Sequence, residues 1–476
     1  MKKFFLLAVL IGALSLFAGC GDGDDSPLDP NNPVEIMLWH YYTGALLSAL
    51  DMMVLDFNRT VGLERGISVE AVGFGNMGVL DANLRASLAD EAGSSPLPNI
   101  FSAFPDTAYV PQQMGLLVDL DDFFSPAQLE KYFQPFVERG RMGLNNELRI
   151  FPVAMSGEIM LVNETAWLDF ANETGFTLDD LLTMERLVEV AGAYYAWSGG
   201  RAFWGRDAIA NMFIIGSKMF GTEIFEIFQA DGEVRAAINI NPTAMRRFWD
   251  FYYTPFISGY FNAYANFRTD DLRVGHIIAF VGSSASAAFF PADITIDGEV
   301  YPIQGMALPP PGFEGVPDVV VKQGAGKAVM ASSPEEEYAA ATFIAWLTEP
   351  EQNLLFSAAS GRMPVLNDAM DVNRIRAAAE DAGIDMTDIT YQTLRVAIES
   401  TRTSNLYSTC AFIGAADARS VLTESLRHRA LAGRNYVLEQ VAAGAVREEI
   451  IAQLSSDERF YIWIEELEIA LAETVS

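Results

Sequence analysis

Adjacent carboxylates are the nearest thing to a catalytic pattern in this sequence. They include the aspartate pairs Asp121-Asp122, Asp179-Asp180 and Asp270-Asp271. A glycoside hydrolase needs two carboxylates that face one cleft, about 5–10 Å apart. Neighbouring residues point to opposite faces of an extended chain, and at the start of a helix they compensate the helix dipole. None of the pairs therefore requires a catalytic role.

Metal-ligand and nucleophile signatures are missing from the sequence. Its three histidines lie at positions 40, 276 and 428, and its two cysteines are Cys20 and Cys410, so no zinc-ligand spacing occurs. Neither a GxSxG elbow nor a P-loop is present. We therefore expect no enzyme, no metal and no cofactor. Cys410 lies in an apolar stretch, which predicts a buried and inert thiol.

Aromatic residues near polar ones suggest carbohydrate binding instead. They form 12% of the chain. The C–H faces of a sugar stack on aromatic rings, whereas its hydroxyls need polar partners. Candidates at predicted strand ends or turns are Trp39, Tyr41, Phe74, Phe104 and Trp204, although core packing would explain each of them equally well.

Alternating strands and helices must position these residues. Strands are predicted at 34–39, 67–72 and 99–104, with helical patterns between them. Such alternation favours an α/β fold with mainly parallel sheets flanked by helices. Ligands of such sheets lie beyond the carboxyl ends of the strands, which here carry Trp39–Tyr42 and Phe104–Asp106.

The stretch from Gln323 to Leu366 has the most specific pattern. A glycine turn precedes a short apolar strand, and Ser333 with Glu336 predicts a helix capping box. A second helix is expected to end at Gly361. This succession resembles the most recognisable segment of the solute-binding proteins of bacterial ABC importers, whose motifs correspond here to Trp346-Leu347, Pro350-Glu351-Gln352 and Gly361-Arg362-Met363-Pro364.

The resemblance covers nearly all of the chain and is strongest to the sugar and glycerol-3-phosphate type, family 1. It implies a two-lobed fold like that of type 2 periplasmic binding proteins, with a hinge that the chain crosses several times. The implied N-terminal lobe comprises residues 34–153 and 322–366, and the C-terminal lobe comprises residues 154–321 and 367–476.

The resemblance also implies ligand-binding residues by position. Its glycerophosphate branch uses an acidic residue after the third strand, serines at the first crossover and at a helix start, and a hinge glycine. Phe74 and Arg362 stand where tyrosines are usual, which argues against glycerophosphate itself. Arg362 would instead clamp a phosphate or carboxylate, or be a surface arginine. The matching positions are Asp106, Ser156, Ser283 or Ser284, and Gly324.

The first residues predict that the protein is located outside the cytoplasm. A basic start and a short apolar run form a signal peptide over residues 1–19. The run Leu16-Phe17-Ala18-Gly19-Cys20 resembles a lipobox, which implies lipid on Cys20. The acidic, breaker-rich residues 20–33 read as a flexible tether.

The net charge of the chain limits which classes of binding partner we expect. The formal net charge of −32 argues against nucleic acid and against anionic membrane surfaces. We expect a monomeric, lipid-anchored protein that binds a carbohydrate, or a glycerol-3-phosphate or polyol-type solute, and delivers it to an ABC permease. The rival interpretations are a secreted lipoprotein that hydrolyses glycans and a scaffold without a transport role.

Overall fold

The computed structural model describes residues 27–230, 232–296, 298–321, 323–409 and 411–475. The predicted signal peptide, Cys20 and Cys410 lie outside these ranges. The signal peptide, the lipid anchor and the state of the Cys410 thiol therefore stay predictions.

The strands, in chain order, are β1 (Val34–His40), β2 (Ile67–Gly73), β3 (Ile100–Ala103), β4 (Arg141–Met142), β5 (Glu147–Leu148), β6 (Glu158–Asn163), β7 (Trp204–Arg206), β8 (Phe225–Ala230), β9 (Glu233–Ile238), β10 (Ala279–Ser283), β11 (Asp293–Ile296), β12 (Glu299–Pro302), β13 (Gly305–Leu308), β14 (Val319–Val321), β15 (Gly326–Val329) and β16 (Asn405–Tyr407).

The helices are α1 (Gly44–Arg59), α2 (Val61–Arg65), α3 (Met77–Leu88), α4 (Pro105–Gln113), α5 (Pro126–Leu129), α6 (Gln134–Arg139), α7 (Glu164–Thr174), α8 (Met184–Trp197), α9 (Ile209–Met219), α10 (Pro242–Phe248), α11 (Thr254–Ile257), α12 (Arg268–Arg273), α13 (Pro334–Leu347), α14 (Pro350–Ser360), α15 (Val372–Ala382), α16 (Asp388–Thr403), α17 (Ala415–Ala442), α18 (Arg447–Leu454) and α19 (Asp457–Val475).

The first lobe is built on a sheet of order β15-β3-β1-β2. Strands β1, β2 and β3 are parallel, and β15 joins β3 antiparallel. The strands predicted at 34–39, 67–72 and 99–104 are present as β1, β2 and β3, shifted by at most a residue at their ends. The capping box at Ser333 and Glu336 also forms, and Gly361 ends α14 in the left-handed conformation at φ 65°. These local features follow from short-range chemistry, which explains why the sequence predicted them.

The second lobe is built on a sheet of order β13-β6-β10-β7. Only β7 and β10 are parallel, because β6 runs antiparallel to both β10 and β13. The α/β fold is confirmed, but this sheet is mixed rather than mainly parallel. Strand β6 leaves the hinge and runs away from it, whereas β7 and β10 run towards it.

Three segments of the chain lie side by side between the sheets. Met155 pairs with Met363, and Ser156 pairs with Gln323, in antiparallel bridges. These contacts lie in or beside the predicted crossings, although the exact lobe boundaries remain predictions. The arrangement forms a hinge of several strands rather than a single linker.

The last helices pack against the second lobe. Helix α17 contacts α9, α11 and α19, and an aromatic cluster fills the space beneath them. In that cluster the Trp249 and Tyr253 rings stack at 3.9 Å, and the Trp463 ring lies 5.3 Å from that of Trp249. Among the described helices, none combines the length and apolar character that a membrane crossing needs.

Candidate functional site

The cleft-facing edge of the first sheet is defined by strand direction. His40 pairs with Gly73 at the ends of β1 and β2, and Ala103 at the end of β3 pairs with Gly326 at the start of β15. The residues that follow β1, β2 and β3, and those that precede β15, therefore gather at one edge of the sheet. They include Tyr41, Phe74, Phe104, Asp106 and Gly324.

The second sheet presents a matching edge. Ser283 at the end of β10 pairs with Glu158 at the start of β6, and Arg206 ends the neighbouring strand β7. Ser156 lies just before β6 and pairs with Gln323 of the hinge. Polar residues of both lobes thus converge between the two sheets.

A hydrogen-bond network spans this junction. Asn211 Nδ2 donates to Glu158 Oε1 and to Gln323 Oε1, each at 3.1 Å, and Arg419 Nη2 donates to Asn211 Oδ1 at 2.8 Å. Arg206 forms a buried ion pair with Glu158. Because Asn211 and Glu158 are buried, their hydrogen bonds hold the network in one geometry.

Asp106 connects this network to the first lobe. It lies in the first turn of α4, and its carboxylate oxygen is 3.9 Å from Arg419 Nε. Arg139 is nearby, and its burial lowers the pKa of its guanidinium to about 10, while the Asp106 charge opposes that shift. The predicted acidic residue therefore faces cations from both lobes.

A second polar cluster lies at the end of β1 and at the hinge. Arg362 Nη2 donates to the Tyr41 hydroxyl at 3.2 Å, and its guanidinium lies 5.9 Å from the Tyr42 ring centre. Burial raises the pKa of the Tyr41 hydroxyl. Phe104 is 6.4 Å from Tyr41, ring centre to ring centre. Arg362 is only 8% exposed, so it is not a surface arginine.

The predicted serines and the hinge glycine occupy the junction itself. Ser156 and Ser284 are buried, and Ser283 is half-buried and caps its own turn by accepting from Ala285 N–H. Gly324 has φ +136°, and a Cβ there would lie 3.0 Å from Met155 Sδ. Glycine is required at this turn by both conformation and space.

Two predicted aromatic contacts need correction. Trp204 is 0% exposed and packs on Phe261 at 4.7 Å, inside the second lobe. Trp39 is 1% exposed and packs beneath Phe74 at 4.8 Å. Both rings point into lobe cores, so in this structure neither presents a face to a solute. Tyr41, Phe74 and Phe104 are the half-buried aromatics of the site.

Several polar residues of the site were not predicted from the sequence. They share one signal, a charge or amide at the end of an apolar strand or on the buried side of a helix. Glu158 begins an otherwise apolar strand, and Arg206 ends the short strand that begins with Trp204. The residues are Arg139, Glu158, Arg206, Asn211, Gln323 and Arg419.

A cavity of about 200 Å³ extends behind Arg206 into the second lobe. Its walls include Asp207, Tyr252 and Arg268. Burial raises the pKa of the Asp207 carboxyl to about 6, although Arg268 N–H donates to Asp207 Oδ1 at 2.9 Å. In the described parts of the chain, no group of three or more His, Cys, Asp or Glu residues could hold a metal ion. The arrangement is suited to hydrogen-bonding a polar molecule.

Comparisons with known proteins bear on the family and the fold. A family model described as bacterial extracellular solute-binding protein matches residues 53–382. A search of curated protein sequences finds no match.

Solved structures of binding proteins share the fold at low identity. The cyclic alpha-maltosyl-1,6-maltose binding protein of Arthrobacter globiformis is 17% identical, with a TM-score of 0.64 over 93% of this chain and 99% of that one. UgpB of Mycobacterium tuberculosis, in complex with glycerophosphocholine, is 18% identical, with a TM-score of 0.68 over 94% and 100%. An ABC transporter solute-binding protein of Agrobacterium radiobacter, in complex with ribitol, is 17% identical, with a TM-score of 0.58 over 90% and 99%.

Proposed function

The chain belongs to the bacterial extracellular solute-binding proteins, and from this premise we propose that it is the lipid-anchored binding component of an ABC importer. It captures a carbohydrate or a related polyol between its lobes and delivers that solute to permease subunits. It performs no chemistry on the solute. The structural neighbours that bind an oligosaccharide, glycerophosphocholine and ribitol support this range of solutes.

One observation carries the proposal. The network of Asp106, Arg419, Asn211, Glu158 and Gln323 draws side chains from both lobes to one point. Its carboxylates, amides and guanidinium can donate to and accept from sugar hydroxyls. A solute bound there touches both lobes, so it binds the closed arrangement more tightly than the open one. Binding therefore shifts the equilibrium towards the closed arrangement.

The first test of this proposal is binding by variants of the cleft. A thermal-shift screen of sugars, polyols and their phosphates selects a solute, and calorimetry then measures its affinity. We expect Asp106→Ala to weaken binding by about tenfold or more, because solute hydroxyls lose a half-buried carboxylate partner. Ser156→Ala should also weaken it. Unchanged affinity in both variants would show that this is not the solute site.

Incubation with oligosaccharides distinguishes a binding protein from a glycan hydrolase. The oligosaccharides of the screen should remain intact after prolonged incubation with the protein. Turnover that a single carboxylate substitution abolishes would favour the hydrolase. If no small solute shifts the melting temperature, a scaffold is the better interpretation.

The lipid anchor is tested separately. Replacing Cys20 with Ser removes the predicted acylation site, so the protein should appear in the medium or the periplasm rather than the membrane fraction. Retention of the Cys20→Ser protein in the membrane fraction would rule the anchor out.

A further inference from the structure

Lys327 occupies an unusual position in the first sheet. Lys327 is 0% exposed and lies in the middle of β15. Its ammonium donates to Ser102 Oγ at 2.7 Å and lies 3.5 Å from the Tyr42 hydroxyl and 4.7 Å from the Tyr42 ring centre. These partners are neutral, so they satisfy hydrogen bonds without cancelling the charge.

Arg362 is a second buried cation beside it. Its Nη2 donates to the Tyr41 hydroxyl, but its Nε is buried and has no hydrogen-bond partner among the described residues. Within the described ranges, neither Arg362 nor Lys327 forms an ion pair with a carboxylate, and the charge that acts most strongly on Lys327 is that of Arg362. The two cations therefore repel each other in a region shielded from water.

The other titratable groups that face this pair do not offset its charge. His40 is held neutral, because burial and then Lys327 lower its pKa to about 4. Burial raises the pKa of the Tyr42 hydroxyl, as it does for Tyr41. Burial and Arg362 lower the pKa of Lys327 to about 7. An uncompensated buried charge is costly, and a negative group entering from the cleft would relieve that cost.

The pair is placed where such a group would arrive. Met363, next to Arg362, donates its N–H to the Met155 carbonyl at 2.7 Å across the hinge. On the other side, a Cβ at Gly361 would lie 3.4 Å from the Ser284 carbonyl oxygen of the second lobe. Ser284 is 0% exposed, and its hydroxyl also has no hydrogen-bond partner among the described residues. The backbones of Gly361 and Ser284 therefore lie against each other at the hinge end of the cleft, and Ser284 and Arg362, the residue after Gly361, each carry an unused polar atom.

We propose that Arg362, with Lys327 behind it and Ser284 opposite, binds an oxyanion of the solute. The solute is then an acidic sugar or polyol that carries a carboxylate or a phosphate, held by its hydroxyls at the network around Asp106. This inference rests on the proposed function and narrows its solute class. Arg362 offers two donors in one plane for such a group.

Calorimetry with matched ligand pairs tests the inference. The probes are a hexose, its uronate and its 6-phosphate, together with ribitol and ribitol phosphate. We expect the better acidic member to bind about tenfold or more tightly than its neutral partner, as one charge-assisted contact provides. Arg362→Gln and Lys327→Met should each remove that preference, so that the ratio of the affinities for the acidic and the neutral member falls to about one. The uronate and phosphate arms distinguish the two kinds of oxyanion.

The control variant is Arg59→Gln, which makes the same charge change at an exposed residue in the last turn of α1. It should keep the preference. Should Arg362→Gln fail to fold, the wild-type pH dependence decides instead. Affinity for the uronate, whose carboxylate stays ionised, should fall between pH 6 and 8 as Lys327 loses its proton, whereas affinity for the hexose should stay constant.

The outcomes separate this inference from the function on which it rests. Equal affinity for neutral and acidic members, or a preference that Arg362→Gln leaves intact, overturns the oxyanion site while solute binding stands. Failure of every member to bind counts against the proposed function as well.

Discussion

At the scale of single residues, Lys327 departs most from the usual environment of its type. Its pKa falls from 10.5 to about 7 on burial. Between these values the unfolded chain holds a proton that the folded chain has released, so stability rises with pH in this window. We predict that Lys327→Met raises the free energy of unfolding at pH 7 by on the order of a few kcal/mol and flattens the rise between pH 7 and 10.

Denaturant unfolding at a series of pH values measures this effect. Lys131→Met is the matched control, because Lys131 is exposed, and it should change stability by less than about 0.5 kcal/mol. A less stable Lys327→Met protein at pH 7 would mean that the ammonium is needed for the fold. The expected result, a stabler protein that has lost its preference for anions, is a trade of stability for function.

At the scale of elements, the hinge turn at position 324 tolerates no side chain larger than that of glycine. A valine there would meet Met155 Sδ at 3.0 Å and Met155 Cα at 3.1 Å, with φ at +136°. We predict that Gly324→Val lowers both the melting temperature and the solute affinity, because the three hinge segments cannot keep their pairing. Thermal unfolding and calorimetry on one preparation measure the two effects.

Gly93→Val distinguishes the effect of backbone strain from the effect of a steric clash of the new side chain. Gly93 also has a positive φ, +89°, but a Cβ there meets nothing within 4 Å. That variant should lose stability through backbone strain alone and bind solute normally. Loss of binding in both variants would mean that the effect at Gly324 is a general loss of folding.

At the scale of the whole molecule, the lobes also touch away from the hinge. The Tyr109 hydroxyl of α4 donates to the Val234 carbonyl of β9 at 3.2 Å. Ala411 and Ile413, on the segment that leads into α17, pack in the core cluster of the first lobe. These contacts exist only while the lobes are together, so they add to the stability of the closed arrangement.

Removing the Tyr109 hydroxyl should therefore weaken solute binding, although this hydroxyl is not part of the proposed solute site. We predict that Tyr109→Phe lowers affinity about two- to tenfold, the range of one hydrogen bond. In small-angle scattering, the solute-free variant should show a larger radius of gyration than wild type. Tyr461→Phe is the control, because Tyr461 is 63% exposed on α19. Equal affinity of all three proteins would show that this contact plays no part in closure.

Much of this molecule was determined by the sequence itself. The strands of the first sheet, the capping box at Ser333 and the helix end at Gly361 follow from chemistry within a few residues, and the sequence predicted them. The family and the two-lobed fold were predicted from the same local motifs. Asp106, Ser156 and Ser284 were placed by position after strand ends and crossovers, and the structure brings them to one junction, where their contact with a solute stays a prediction.

Other features were decided only by tertiary structure. Whether Trp39 or Trp204 points into a core or a cleft depends on which face of its strand the rest of the fold covers. The direction of β6, and with it the position of Glu158 beside Arg206, depends on where the chain leaves the hinge. Lys327 is an ordinary residue in a short strand until β3 and the hinge segment bury it next to Arg362. These features rest on contacts between residues tens to hundreds of positions apart, and no short stretch of sequence encodes them.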